Sequence, residues 1–288
     1  MTPSPQAKRF NWTNLGTRAV SALLLAPAAL YVLLAQAPLT IFGVGIPSAA
    51  LRLVLISVVV ALLAIEWAMM SARQAPTRIA VAVTAAVLAG LFTADLAHYR
   101  IMWLVLVLGA GAAAVIARGI AARPADAAFG ALYIGGPCLS LLWLRAVEPH
   151  GEYWTALVLA VAWAADIAAF LVGSAMKGPK LWPQFSPNKT WSGFIGGLAA
   201  ATAAAWALSR FLPMGLDPLK ACALGLFAGL ATMAGDLWES MLKRRFGVKD
   251  SGDLIPGHGG LLDRVDGLMF AVLAVAAARL LVNLGWPH

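Results

Sequence analysis

The 288-residue sequence predicts an all-α fold, a polytopic membrane helical bundle of about nine transmembrane helices with a cytoplasmic N-terminus. Three observations point there. Hydrophobic residues make up 61% of the chain and charged ones only 12%, against roughly 25% charged in a soluble domain. Apolar runs of about 20 residues, long enough to cross a bilayer as a helix, recur throughout, and mean hydropathy is +0.82. Lys and Arg gather in alternate loops. The strict alternation that a membrane barrel strand needs over about ten residues is not seen.

Taken in order, the spans fall near 19–38, 48–70, 79–95, 101–117, 127–144, 153–173, 191–209, 218–238 and 267–284. The first follows basic residues and ends in Ala35-Gln36-Ala37, a pattern resembling a signal-peptide cleavage site. Its apolar core is longer than that of a typical signal peptide and Pro38 follows directly, so it is expected to remain as a membrane helix. Fifteen Lys and Arg lie in loops on the side of the N-terminus, among them Lys177, Lys180, Lys189, Lys243, Arg244, Arg245, Lys249 and Arg264. Five lie on the other side: Arg52, Arg100, Arg145, Arg210 and Lys220. This bias orients the N-terminus inward and, with an odd span number, the C-terminus outward. It also puts both polar loops, 174–191 and 239–266, on the cytoplasmic side.

The net charge of +8 does not indicate a nucleic-acid partner, because the charges sit between spans and no basic domain exists to hold a polymer. Cys138 and Cys222 each lie inside an apolar run, so neither a disulfide framework nor a thiolate metal site is available. No internal repeat supports an inverted-repeat transporter. The chain divides near residue 150. Residues 1–150 read as a membrane scaffold of about five spans, and 151–288 as a catalytic membrane region of about four. Glu66 is the exception in the first half: a carboxylate near the inner end of an apolar span reads as an interfacial residue, a polar site wall or a partner for an arginine.

The second half holds three polar constellations. Asp166 lies in WAADIAAFLVG ahead of the loop 174–191, Asp236 ends the eighth span with Glu239 and Lys243 after it, and Asp263 and Asp266 open the ninth. Asp236, Glu239 and Lys243 share one face if their helix continues. Asp236 and Asp263, with Asp266 as a third, fit Mg²⁺, which takes one or two carboxylates while substrate phosphates and waters complete its shell. The same carboxylates could equally pair with Lys243, Arg244 or Arg264 as juxtamembrane ion pairs. Gly257, Gly259 and Gly260 let backbone N–H groups approach phosphate oxygens, and His258 either bonds the ligand or braces the turn. In the earlier loop, three prolines forbid a continuous helix, and Ser186, Lys189 and Thr190 set a cation and hydroxyls beside the start of the seventh span, where a helix N-terminus favours anions. A plain basic loop holding anionic headgroups remains the alternative there.

The run from Ser240 to Asp266, SMLKRRFGVKDSGDLIPGHGGLLDRVD, resembles the signature of the phosphatidate cytidylyltransferases (CDP-diacylglycerol synthases): Ser, Lys-Arg, Lys-Asp, Pro-x-His-Gly-Gly, Asp-Arg-x-Asp. The loop with Ser186-Pro187-Asn188-Lys189-Thr190 is similar to the family's second motif, departing from it at Ser174 and Ser192. The resemblance implies that CTP and phosphatidate from the inner leaflet react to give CDP-diacylglycerol and pyrophosphate, with Mg²⁺ as cofactor and a second metal or a monovalent cation left open. Asp236, Asp263, Lys189 and Arg264 are then the expected catalytic residues. Ser186, Lys189, Thr190, Lys243, Arg244, Lys249, His258, Gly259 and Gly260 would bind substrate, and Asp236, Asp263 and Asp266 the metal. The enzyme would sit in a bacterial-type inner membrane with its site facing the cytoplasm. Membrane lipids are its surroundings, and a homodimer is left open. Two rivals remain: another CTP-dependent lipid enzyme, and an ion-coupled transporter in which Asp166 and Asp236 bind cations.

Overall fold

The structure, a computed structural model, describes residues 27–41, 44–72, 74–96, 98–119, 123–252, 254 and 259–283. A helical segment α1 over 27–34 leads into a short antiparallel hairpin, β1 (Leu39–Ile41) and β2 (Val44–Ile46), with Leu39 opposite Ile46. Four helices follow: α2 (Ser48–Ser71), α3 (Pro76–Asp95), α4 (Tyr99–Ile116) and α5 (Ala125–Ala146). Then α6 (Gly151–Met176), a second hairpin of β3 (Lys180–Trp182) and β4 (Ser186–Thr190), α7 (Trp191–Phe211), α8 (Pro218–Arg245) and α9 (Leu262–Asn283) complete the chain. Seven of these, α2 to α8, are long and apolar enough to cross a membrane, which indicates an integral membrane protein. The start of the expected first span lies outside the described residues. The two hairpins were not expected from the sequence.

Helix starts follow local chemistry. Pro76 opens α3 and Pro218 opens α8, where a missing N–H is harmless. Asp217 caps α8 by accepting from the N–H groups of Leu219 at 2.9 Å and Lys220 at 3.3 Å. The carbonyls at the end of α1 are taken by arginines: Arg52 donates to Ala35 at 2.8 Å, and Arg145 to Leu33 at 3.0 Å and Ala35 at 3.1 Å. Those groups have no partner within the helix, and the cations also suit the helix dipole. The arginines expected on the outer side therefore fasten α1 to the bundle.

Two apolar cores result. One joins α2 to α5 around Leu63, Trp67, Ile79, Leu91, Leu106 and Ile134, and reaches Leu242 of α8 and Leu262 of α9. The other joins α6 to α9 around Trp154, Leu157, Val161, Ala201, Ala228 and Val272. Helix α9 feeds both, through Met269 on one side and Val275 on the other. Small residues bring α6 and α7 together: a Cβ at Gly197 would stand 2.9 Å from the Ala165 carbonyl, so only glycine permits this approach.

Candidate active site

Helix α8 continues to Arg245, seven residues beyond the expected end of its span. Hydropathy stops at the lipid boundary, but SMLKRR contains good helix formers, and its cations lie in the last turn, where the helix dipole favours them. Asp236, Glu239 and Lys243 therefore do share one face of a continuous helix. Lys243 is held between two carboxylates, with its Nζ 2.6 Å from Glu239 Oε2 and 2.6 Å from Asp263 Oδ1. Glu239 is 1% exposed, so its carboxyl faces Lys243 rather than water. Asp263 also accepts the Ser251 N–H at 3.1 Å. Burial alone would raise the Asp263 carboxyl, but the hydrogen bond with Glu239, the Lys243 ammonium and the Ser251 N–H hold it below the usual carboxylate range.

The earlier loop comes to the same helix. Its prolines, at 179, 183 and 187, exclude a helix, and the segment folds back as β3–β4, with Lys180 opposite Thr190 and Trp182 opposite Ser186. This projects Lys189 onto α8, where its ammonium pairs with Asp236. Thr190 closes the strand and caps α7, accepting the Gly193 N–H at 3.2 Å. Ser192, one of the two departures from the family pattern, lies 3.0 Å from the Thr190 hydroxyl and donates to the Lys177 carbonyl. It thereby ties the two ends of the loop together.

Helices α8 and α9 touch backbone to backbone beside these groups. A Cβ at Gly235 would stand 2.5 Å from the Asp266 carbonyl oxygen and 2.9 Å from the Phe270 ring, and one at Gly267 would stand 2.8 Å from the Thr232 methyl. Asp266 is itself buried, with its carboxylate on the Gly267 N–H at 2.8 Å. We expect Gly235→Ala to destabilise the protein by about 1–3 kcal/mol, the range for forcing a methyl into a filled core. A thermal unfolding midpoint in detergent equal to wild type would contradict so close a helix contact.

Of the residues singled out from the sequence, the structure brings together Lys189 with Asp236, and Lys243 with Asp263. Gly260 is adjacent, since a Cβ there would lie 3.0 Å from Asp263 Oδ2, and Gly259 turns the chain at a φ of +85° that favours glycine. Ser186 is half-buried on β4, while Arg244, Lys249 and Arg264 are exposed. Arg244 reaches only as far as the Val248 carbonyl, at 3.5 Å. His258 and Gly257 lie outside the described residues. Asp166 on α6 is exposed, yet it stands near enough to Asp236 and Lys189 for their charges to act on it. Among the described residues, no group of three His, Cys, Asp or Glu stands close enough to hold a metal by protein ligands alone.

Four residues were not selected for the site from the sequence. Glu239 carried a signal, its i,i+4 spacing to Lys243. Glu66 carried another, as a carboxylate in an apolar span, but its partners are not an arginine: it accepts the N–H groups of Leu261 and Leu262, each at 2.7 Å. Asp126 and Ser251 carried none. Asp126 pairs with Arg245 at 2.5 Å, and its carbonyl accepts from Trp67 Nε1 at 2.9 Å.

The profile of the cytidylyltransferase family matches residues 17–282. The chain belongs to this family. Among curated relatives of this cytidylyltransferase-family protein, the phosphatidate cytidylyltransferase of Brucella suis biovar 1 is 50% identical over 161 residues, 55% of this chain and 56% of that protein. The phosphatidate cytidylyltransferase of Staphylococcus aureus (strain COL) is 37% identical over 147 residues, 51% of this chain and 56% of that one. The chain thus spans about half the length of the curated relatives it matches.

Proposed function

We propose that this protein transfers the cytidylyl group of CTP to phosphatidate, forming CDP-diacylglycerol and pyrophosphate. The observation that carries the reading is the convergence of the two polar loops on one face of α8, through Lys189 on Asp236 and Lys243 on Asp263. The names of the relatives supply the substrate pair. The nucleophile needs little activation, since a phosphate monoester has its second pKa at about 6 and is mostly dianionic at neutral pH. Its oxygen attacks the α-phosphorus of CTP, a new P–O bond forms, and pyrophosphate leaves with the electron pair of the broken α–β bridge.

What the protein supplies is charge and position. Two polyanions must be held in contact, and Lys189, Lys243 and Arg264 would offset their repulsion. Gly259 and Gly260 let backbone N–H groups near Asp263 reach phosphate oxygens. Asp236 and Asp263 offer hard carboxylate oxygens, each already holding a cation, and this donor set fits Mg²⁺ bound through one or two carboxylates, with Asp266 close behind on α9. When bound, the ion would neutralise phosphate charge and help orient the leaving group. Thr190 and Ser192 act through the loop, keeping Lys189 on α8. Residues 1–150 serve as scaffold and 151–288 carry the reacting groups. The site faces the cytoplasm of a bacterial-type inner membrane, so CTP arrives from water and phosphatidate from the inner leaflet.

The test is direct. Purified protein incubated with phosphatidate, Mg²⁺ and labelled CTP is expected to yield labelled CDP-lipid and pyrophosphate. Phosphorylated lipid with CDP would replace this reading with that of a lipid kinase, and no turnover would favour a transporter.

A further inference from the structure

Glu66 is completely buried on α2, in the half of the chain assigned to scaffolding. Both carboxylate oxygens are engaged at the entrance to α9. Oε1 accepts the Leu261 N–H at 2.7 Å, and Oε2 accepts the Leu262 N–H at 2.7 Å and the Ser251 hydroxyl at 3.2 Å. N–H groups at a helix start have no carbonyl partner in their own helix, and a carboxylate satisfies them while opposing the positive end of the dipole. Ser251 carries the contact onward, because its own N–H is on Asp263 Oδ2. One residue therefore spans Glu66 and Asp263.

The loop is shaped to this arrangement. Gly252 lies against Glu66, where a Cβ would be 3.2 Å from Cγ, and a Cβ at Gly260 would overlap the Ser251 hydroxyl. The next residue on α2 secures the other root of the loop. Trp67 donates to the Asp126 carbonyl at 2.9 Å, and the Asp126 carboxylate holds Arg245 at the end of α8 at 2.5 Å. Both ends of the segment between α8 and α9 are thus fastened to the first half of the protein by neighbouring residues of one helix.

We propose that Glu66 is a positioning residue for cytidylyl transfer: by capping α9 and holding Ser251, it sets where Asp263 stands relative to Lys243 and the reacting phosphates. This rests on the proposed function above. The carboxylate is specific to the task. Two N–H groups and a hydroxyl converge on two acceptor oxygens, whereas glutamine has one acceptor and would turn its NH₂ toward a donor.

Two measurements on the full-length protein in detergent test this. Glu66→Gln is expected to lower kcat by about ten- to a hundredfold, the scale of a small misplacement at a reacting centre, with KM for phosphatidate changed less than about twofold. Hydrogen exchange, read without substrate, should rise over residues 259–264 while peptides from α3 to α5 keep wild-type rates. A kcat within twofold of wild type would overturn the proposal, as would unchanged exchange over 259–264. So would exchange rising equally throughout the bundle, which reports general loosening. Should Glu66→Gln not fold, Glu66→Asp, one methylene shorter with its charge kept, is measured in its place, and the same results support or overturn the proposal. If the wild type itself transfers no cytidylyl group, the functional reading falls, and the clamp on α9 stands or falls on the exchange data.

Discussion

Asp263→Asn is expected to remove cytidylyl transfer, lowering kcat by roughly 10²-fold or more while the protein still folds. The magnitude is that of deleting one charge-stabilising group from a preorganised site. Asp263 sits where several dependencies meet: the Lys243 ammonium at 2.6 Å on one oxygen, the Ser251 N–H at 3.1 Å on the other. An amide preserves the shape, but its NH₂ must face either the ammonium or the N–H, a donor against a donor. It also lacks the charge that a divalent cation requires of its ligand. Activity should be assayed over a range of Mg²⁺ and again with Mn²⁺, alongside size-exclusion elution to establish folding. Near-native kcat at ordinary Mg²⁺ would take Asp263 out of the site. Asp236→Asn should behave alike, and partial rescue of either by more metal would tie the loss to cation binding.

Helices α2 to α8 were legible because each is a long apolar run. The spans expected at 48–70 and 191–209 emerge as α2 and α7 within two residues. Helix ends were less legible where the helix outruns the lipid, as in α8, since hydropathy reports the bilayer boundary and not the last hydrogen bond. The β3–β4 hairpin could not be read at all. Ser186–Thr190 contains a proline and no alternation of apolar and polar residues, so nothing in it signals a strand.

In the site, residue types were readable but partners were not. Asp236 and Lys243 share a helix face, which suggested that they belong together. Instead Asp236 takes Lys189, from a loop that leaves and re-enters the bundle, and Lys243 turns to Glu239 and Asp263. Spacing within one helix is local and periodic, so it survives in sequence. A contact between α8 and the hairpin that precedes α7 depends on how α6, α7 and α8 pack, and no local pattern records that. Glu66 shows the same limit: a carboxylate in an apolar span stood out and read first as an interfacial residue, yet it is fully buried, because its partners, the backbone N–H groups of Leu261 and Leu262, have no side-chain signature to find.

Lys189→Ala should lower kcat/KM by about ten- to a hundredfold. A charge-assisted hydrogen bond is worth roughly 1.5–3 kcal/mol, and each 1.36 kcal/mol is a factor of ten in rate. An exposed surface charge would lose far less. The argument is geometric: Lys189 is the one link from the β3–β4 loop to Asp236 that the described ion pairs contain, and neither loop alone would offer enough ligands for a triphosphate, a lipid phosphate and a metal. The variant also leaves Asp236 without its ammonium, so the double variant Lys189→Ala, Asp236→Asn should lose less than the sum of the two single losses if the pair acts as a unit. Sidedness supplies a second arm. In a background lacking Cys138 and Cys222, a cysteine placed near Pro149 should react with an impermeant reagent added outside the cell, and one at Lys189 should not. Labelling of position 189 from outside, or a change in kcat/KM below about twofold, would separate the two loops and end the shared-site reading.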